Sequence, residues 1–154
     1  DGLAKVDING NYGFVDKTGK EVTPLIYSGA SLFSEGLAGV RVSTDIFADE
    51  TCKWGFIDKT GKMVIAPQFT HIDTDYGFSE GLIYVADCKT VNHEETCKYG
   101  FIDKTGKLVI PLKYDEANTF YCGFANVSLN GENFRVDING IEHESKKNLN
   151  SGDE

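Results

Sequence analysis

Basic side chains are in short supply. Lys and Arg number 15 against 24 Asp and Glu, a formal net charge of −9. A nucleic-acid surface needs a clustered basic face to displace counterions from phosphates, so that partner class is excluded. Apolar runs reach only a handful of residues, far short of the ~20 that a membrane-spanning helix needs, so no membrane insertion is expected. The start of the chain has no basic, apolar and small-residue succession of a secretory signal; it opens on Asp1, as a processed protein or an excised fragment would. Catalytic signatures are missing as well: there is no G-x-S-x-G, no Ser/His/Asp arrangement and no glycine-rich phosphate loop. Cys52, Cys88, Cys97 and Cys122 include no C-x-x-C pair, and His71, His93 and His143 do not stand at zinc-finger spacing, so neither a metal site nor a cofactor is expected. With the apolar fraction at 40%, the chain nevertheless has enough hydrophobic material to bury a core.

What is present is a repeat. Tyr12-Gly13-Phe14-Val15-Asp16-Lys17-Thr18-Gly19-Lys20 recurs at Trp54–Lys62 and again at Tyr99–Lys107, offsets of 42 and 45. Residues 12–40 align with 99–127 without a gap, so a whole unit is copied and not just a turn. A second signature follows each copy: Phe33-Ser34-Glu35-Gly36-Leu37-Ala38, then Phe78-Ser79-Glu80-Gly81-Leu82-Ile83, then the weaker Tyr121-Cys122-Gly123-Phe124-Ala125. Gly2-Leu3-Ala4-Lys5-Val6 is a further copy met in mid-unit, and residues 2–19 map onto 123–140. In that last copy Asn133 stands at the aromatic position and Arg135 at the phenylalanine, the loss of apolar residues expected of a capping unit.

Short runs of β-formers punctuated by turn residues predict an all-β chain. Asp16-Lys17-Thr18-Gly19 and its copies have the Asp at the first position and the Gly at the fourth of a type I turn closed by a left-handed glycine; Asn9-Gly10 and Asn130-Gly131 are two-residue type I′ turns. Pro24, Pro67 and Pro111 fall at, or one residue beyond, the same site of the unit, where they are expected to end the third strand. Each unit is thus predicted to be a three-stranded antiparallel meander, and the chain a tandem array of about three and a half units over residues 1–141. An open curved stack is favoured over a closed propeller-like ring. Residues 142–154 are expected to form a polar tail or linker.

These motifs resemble the WG-repeat (KWG) family of bacterial proteins, whose units read G-K-W-G-F-I-D-x-T-G-K-x-V-I-x-P followed by F-x-E-G-L-A-x-V. The resemblance covers residue 2 to about 141; Trp54 holds the eponymous position, with Tyr12 and Tyr99 substituting. It implies an interaction module without catalytic residues.

The hairpin register carries one further expectation. With Asn9-Gly10 as a two-residue turn, Asp7 faces Tyr12; mapping Ala86 and Tyr99 onto that pair makes Cys88 face Cys97 at a non-hydrogen-bonded site. Facing Cα atoms there are about 4.5 Å apart, at the short edge of what a disulfide spans. A Cys88–Cys97 bridge is therefore expected, while the matching pair in the preceding unit is Ser43/Cys52. A disulfide points to an oxidising compartment, hence an extracytoplasmic location: periplasmic, cell-surface or secreted.

Three recurring features invite chemistry. Asp16, Asp58 and Asp103 are explained by turn capping, and Glu35 and Glu80, lost as Cys122, make poor candidates for a general acid. Tyr12, Trp54 and Tyr99 are read chiefly as core filler, with a glycan-stacking row as the alternative. The acidic insertions around Thr44–Glu50 and Lys89–Glu95 are expected as protruding loops on one face. The function expected is a non-enzymatic module binding a protein partner through that face; a glycan- or cell-wall-binding module and a structural spacer are the alternatives.

Overall fold

The computed structural model describes residues 2–43 and 52–145. Among them there is no helix; the chain forms four antiparallel sheets in succession. The first holds β1 (Leu3–Ile8), β2 (Asn11–Asp16) and β3 (Glu21–Tyr27). The second holds β4 (Gly29–Ala30), β5 (Leu37–Ser43), β6 (Cys52–Asp58) and β7 (Met63–Phe69), and the third β8 (His71–Ile72), β9 (Leu82–Val91), β10 (Glu94–Asp103) and β11 (Leu108–Tyr114). The fourth holds β12 (Glu116–Ala117), β13 (Phe124–Leu129), β14 (Glu132–Asp137) and β15 (Glu142–Glu144). Neighbours in chain order are neighbours in each sheet.

The meander is present, but the full unit has four strands where the sequence predicted three. The extra strand is only two residues long. It forms one residue after the third strand of the preceding sheet, as the chain steps across: β3 ends at Tyr27 and β4 begins at Gly29, pairing with Arg41 and Val40 of β5. A two-residue strand has no periodicity to detect, which is why the sequence does not announce it.

The turns form as the residues dictate. Gly19 N–H donates to the Asp16 carbonyl at 3.0 Å and Asp16 N–H to the Lys20 carbonyl at 2.9 Å, and Gly19 has φ +83°. Asn9 (φ +53°) and Gly10 (φ +80°) make the type I′ turn, with Ile8 opposite Asn11 and Asp7 opposite Tyr12. The S-E-G-L segment is also a type I′ turn, which the sequence reading missed because Glu is a poor left-handed residue. Glu35 and Gly36 both have positive φ (49° and 87°), and Ser34 and Leu37 exchange N–H···O bonds of 2.9 and 3.1 Å.

The prolines do not end the third strand. Pro24, Pro67 and Pro111 lie inside β3, β7 and β11, in a bulge: Phe56 faces Ile65 and Trp54 faces Phe69, so two residues of β6 span four of β7. A bulge leaves unpaired N–H positions, and proline is tolerated there. Nor is Lys89–Glu95 a loop. β9 and β10 run on to Val91 and Glu94 and join through Asn92 and His93, at φ +52° and +65°. The companion insertion, Thr44–Glu50, lies outside the described residues. At the C-terminal side the array runs through Glu144, because β15 pairs with β14 and Glu142 accepts hydrogen bonds from Tyr114 Oη (2.6 Å) and Lys113 Nζ (2.7 Å) on the third sheet.

Each sheet packs on the next and no sheet closes on itself, so the chain is an open all-β repeat array. Three apolar layers fill the three intervals. Phe14, Tyr27, Val40 and Ile57 lie between sheets one and two, Phe56, Ile65, Phe78 and Val85 between two and three, and Phe101, Tyr114, Phe120 and Val127 between three and four. One edge-to-face ring pair recurs in every interval: Phe14–Phe33, Phe56–Phe78 and Phe101–Phe120, with centroids 4.9, 5.2 and 4.9 Å apart. The second ring comes from the F-S-E-G signature in the first two intervals and from its counterpart Phe120-Tyr121-Cys122-Gly123 in the third, so the two recurring motifs meet across the interface between units.

Candidate functional site

The glycine after each aromatic has a packing reason. A Cβ on Gly55 would sit 2.6 Å from the Ile65 carbonyl oxygen and 2.8 Å from Pro67 N, and Gly13 and Gly100 meet the matching backbone of β3 and β11. The bulged third strand crosses directly over this position, and only hydrogen leaves room for it.

The aromatic row is divided among the intervals between sheets. Tyr12 packs on the layer between sheets one and two, Trp54 on that between two and three, and Tyr99 on that between three and four. All three are half-buried. The Trp54 indole lies over Gly29, Tyr99 meets Tyr84 edge to face at 5.9 Å, and Lys5 Nζ stands 5.6 Å from the Tyr12 ring centroid. Their immediate partners are thus protein groups.

The repeated carboxylates are committed to structure. Oδ1 of Asp16 accepts from Thr18 N–H (2.8 Å), Thr18 Oγ1 (2.6 Å) and Lys20 N–H (3.1 Å), and Asp58 and Asp103 repeat the pattern. The Thr hydroxyl bond is the main cause that holds each of these carboxyls below the ordinary value of 3.8. A depressed folded pKa contributes stability that is present above the unfolded value and is lost as pH falls through the folded one. The turns are therefore expected to weaken below about pH 4, and Asp58→Asn should make the fall of stability with acid shallower, as followed by circular dichroism across an acid titration.

Glu35 and Glu80 tie unit to unit. The Glu35 carboxylate accepts from Gly81 N–H at 3.0 Å and that of Glu80 from Gly123 N–H at 2.9 Å. Ser34 Oγ donates to the Phe78 carbonyl at 2.7 Å and Ser79 Oγ to that of Phe120 at 2.8 Å. The buried Asp73 adds a tie by accepting from Thr119 Oγ1. On the outward side of the fourth sheet these couplers are gone: Tyr121 replaces the Ser, Cys122 the Glu, and Arg135 the Phe. The Arg135 guanidinium instead covers the Phe124 ring, 4.8 Å from its centroid, which gives that face a charged surface. The recurrence of Ser-Glu at an offset of 45 was visible in the sequence, but its target, a backbone N–H in the next copy, was not.

The third sheet carries the remaining feature. β9 and β10 are ten residues each, against six for β1, β2, β13 and β14, so their hairpin extends about 13 Å further at ~3.3 Å per residue. Cys88 and Cys97 face one another on it with Cα atoms 4.0 Å apart and sulfurs at disulfide distance, in the register read from the sequence. Cys52 and Cys122, left unassigned by the sequence, are free thiols, one buried and one exposed. Beside the facing pair, His71 Nε2 lies 3.3 Å from Glu95 Oε1, and Cys97 Sγ lies 3.5 Å from the same oxygen.

The stacked antiparallel sheets of three or four strands and their inter-unit ties define a β-repeat module. A family model described as a WG-containing repeat matches residues 12–43, 54–86 and 99–132, and the chain belongs to that family. No curated protein and no solved structure matches the chain. Among the described residues no helix is long and apolar enough to cross a membrane.

Proposed function

We propose that this chain is a non-enzymatic interaction module acting outside the cytoplasm of a bacterial cell, and that a protein partner docks on its hairpin-tip face, chiefly on the β9–β10 hairpin. The observation that carries this reading is the unbroken ladder of that hairpin out to its tip, four residues per strand longer than the hairpins of the first and fourth sheets. Its tip exposes Val91, 63% accessible, opposite Glu94 and next to the Asn92-His93 turn. An apolar residue held on a rigid projection is a low-entropy anchor for a protein surface. The recurrent carboxylates serve turns and inter-unit ties, and the aromatic row serves the layers between units. The cysteine pair at disulfide distance supports the oxidising location.

The test is site-specific photo-cross-linking in the producing cell. A cross-linker at Val91 is expected to trap a discrete protein adduct; added unlabelled full chain should compete for it, whereas a chain with residues 87–98 replaced by the Ile-Asn-Gly-Asn turn of the first unit should not. The same group at Lys104, on the opposite end of the sheet, should trap none. Adducts that are identical from both positions, or for which the shortened chain competes as well as the full chain, would overturn the assignment.

A further inference from the structure

The fold gathers four potential metal ligands that are distant in sequence. His71 is on β8, Cys88 on β9, and Glu95 and Cys97 are on β10. His71 pairs with Ala86, two residues from Cys88 on the same face of β9, and Cys88 pairs with Cys97, two residues from Glu95 on the same face of β10. Period-two geometry thus puts all four side chains on one side of three adjacent strands. One ligand atom from each residue falls within 4.8 Å of every other. Around tetrahedral Zn²⁺, with bonds of about 2.0–2.3 Å, ligand atoms lie about 3.3–3.8 Å apart. The 3.3 Å between His71 Nε2 and Glu95 Oε1 already matches one edge of that tetrahedron. Side chains of His71 and Glu95 are 53% and 56% accessible, so an ion reaches the cluster without any opening of the core.

We propose that this cluster is a redox-gated site for a borderline-soft divalent cation, Zn²⁺ above all, closed when Cys88 and Cys97 are joined and open when they are reduced. The ligand set would be two thiolates, one neutral imidazole and one carboxylate, donors that Zn²⁺ favours over hard cations. The steps balance. A dithiol reductant gives two electrons and two protons to the Cys88–Cys97 bond and leaves as its own disulfide. The two thiols then release two protons as their sulfurs bond to the metal. In the oxidised form the sulfurs are spent on each other and only His71 and Glu95 remain. Reduction thus exchanges one cross-link of the β9–β10 hairpin for another, and adds β8 to it. The site is independent of whether a partner docks on the hairpin tip.

Co²⁺ is the probe, because thiolate coordination gives it a near-ultraviolet charge-transfer band and tetrahedral geometry gives it strong visible bands. The full chain is titrated with Co²⁺ before and after reduction with a phosphine, and Zn²⁺ is then added to displace the cobalt. Expected is one Co²⁺ per chain with both sets of bands in the reduced protein only, and their loss on adding one equivalent of Zn²⁺. Cys88→Ser/Cys97→Ser should abolish the bands while leaving Cys52 and Cys122 in place; the pair position tolerates serine, as Ser43 opposite Cys52 shows. Should that variant fail to fold by circular dichroism, His71→Ala takes its place, at the exposed residue of β8; it should weaken Zn²⁺ binding roughly tenfold or more. Bands in the oxidised protein, bands that persist in the double-serine variant, no bands after reduction, or unchanged affinity in His71→Ala would each overturn the site.

Discussion

Gly55→Ala is expected to destabilise the array by about 3 kcal/mol, the upper part of the range for forcing atoms into a packed site. The reason is the identity of the obstacle. The new methyl would meet the Ile65 carbonyl oxygen at 2.6 Å and Pro67 N at 2.8 Å, both backbone atoms of the bulge in β7, so no rotamer change relieves the contact. Either the bulge opens, uncoupling β6 from β7, or the strand separates from its neighbour and the Ile65 side chain leaves the layer between sheets two and three. A thermal midpoint lowered by about 6–12 °C is the expected reading for a chain of this size. Gly10→Ala is the control. A Cβ there meets nothing within 4 Å, but φ is +80°, so the cost is that of the left-handed backbone alone, roughly 1 kcal/mol. Equal losses in the two variants would show that close approach of the bulge is not the reason for the glycine.

Phe101→Ala is expected to cost about 4 kcal/mol, in the range for truncating a fully buried phenylalanine. Phe101 is 0% exposed and lies edge to face on Phe120, itself 1% exposed, with the rings 80° apart. That pair joins the third sheet to the fourth, so the loss falls on an interface and not only within a unit. In a linear array each unit is stabilised by its own fold and by its contacts with immediate neighbours. Among the described residues the fourth sheet packs on the third alone, and Arg135 covers Phe124, so no second interface compensates there. Hydrogen exchange should therefore show amides of β13 and β14 losing protection ahead of those of β1 and β2. Uniform loss across the four sheets would mean that the array behaves as a single cooperative block.

The alignment of the units determined more about distant contacts than sequence patterns usually do. Cys88 opposite Cys97 followed from counting residues outward from Asn9-Gly10, because an antiparallel hairpin propagates its register rigidly once the turn is known. The same counting placed Ser43 opposite Cys52. Asp16, Asp58 and Asp103 were legible for a similar reason, since their partners lie two and four residues away in the same turn. What failed was everything that crosses from one unit to another. Glu35 is a poor general-acid candidate in sequence because its position becomes Cys122, and its tie to the next unit stayed hidden because the partner, Gly81 N–H, is 46 residues away. His71 looked isolated because β8, the two-residue strand that carries it, has no pattern of its own.

Motif spacing and turn chemistry by themselves determined that this chain is an all-β repeat array, where its D-K-T-G and N-G hairpins turn, and the register in which β1 meets β2 and β9 meets β10. Those are local properties, set by φ preferences and by alternation along a strand. Only the tertiary structure decided that the full unit has four strands, that the prolines sit within bulges, that Ser and Glu of one copy hold the next, and that His71 and Glu95 join the two cysteines. Each of these depends on how one sheet sits against the next or on a strand shorter than one period of alternation, and neither leaves a periodic trace in the order of residues.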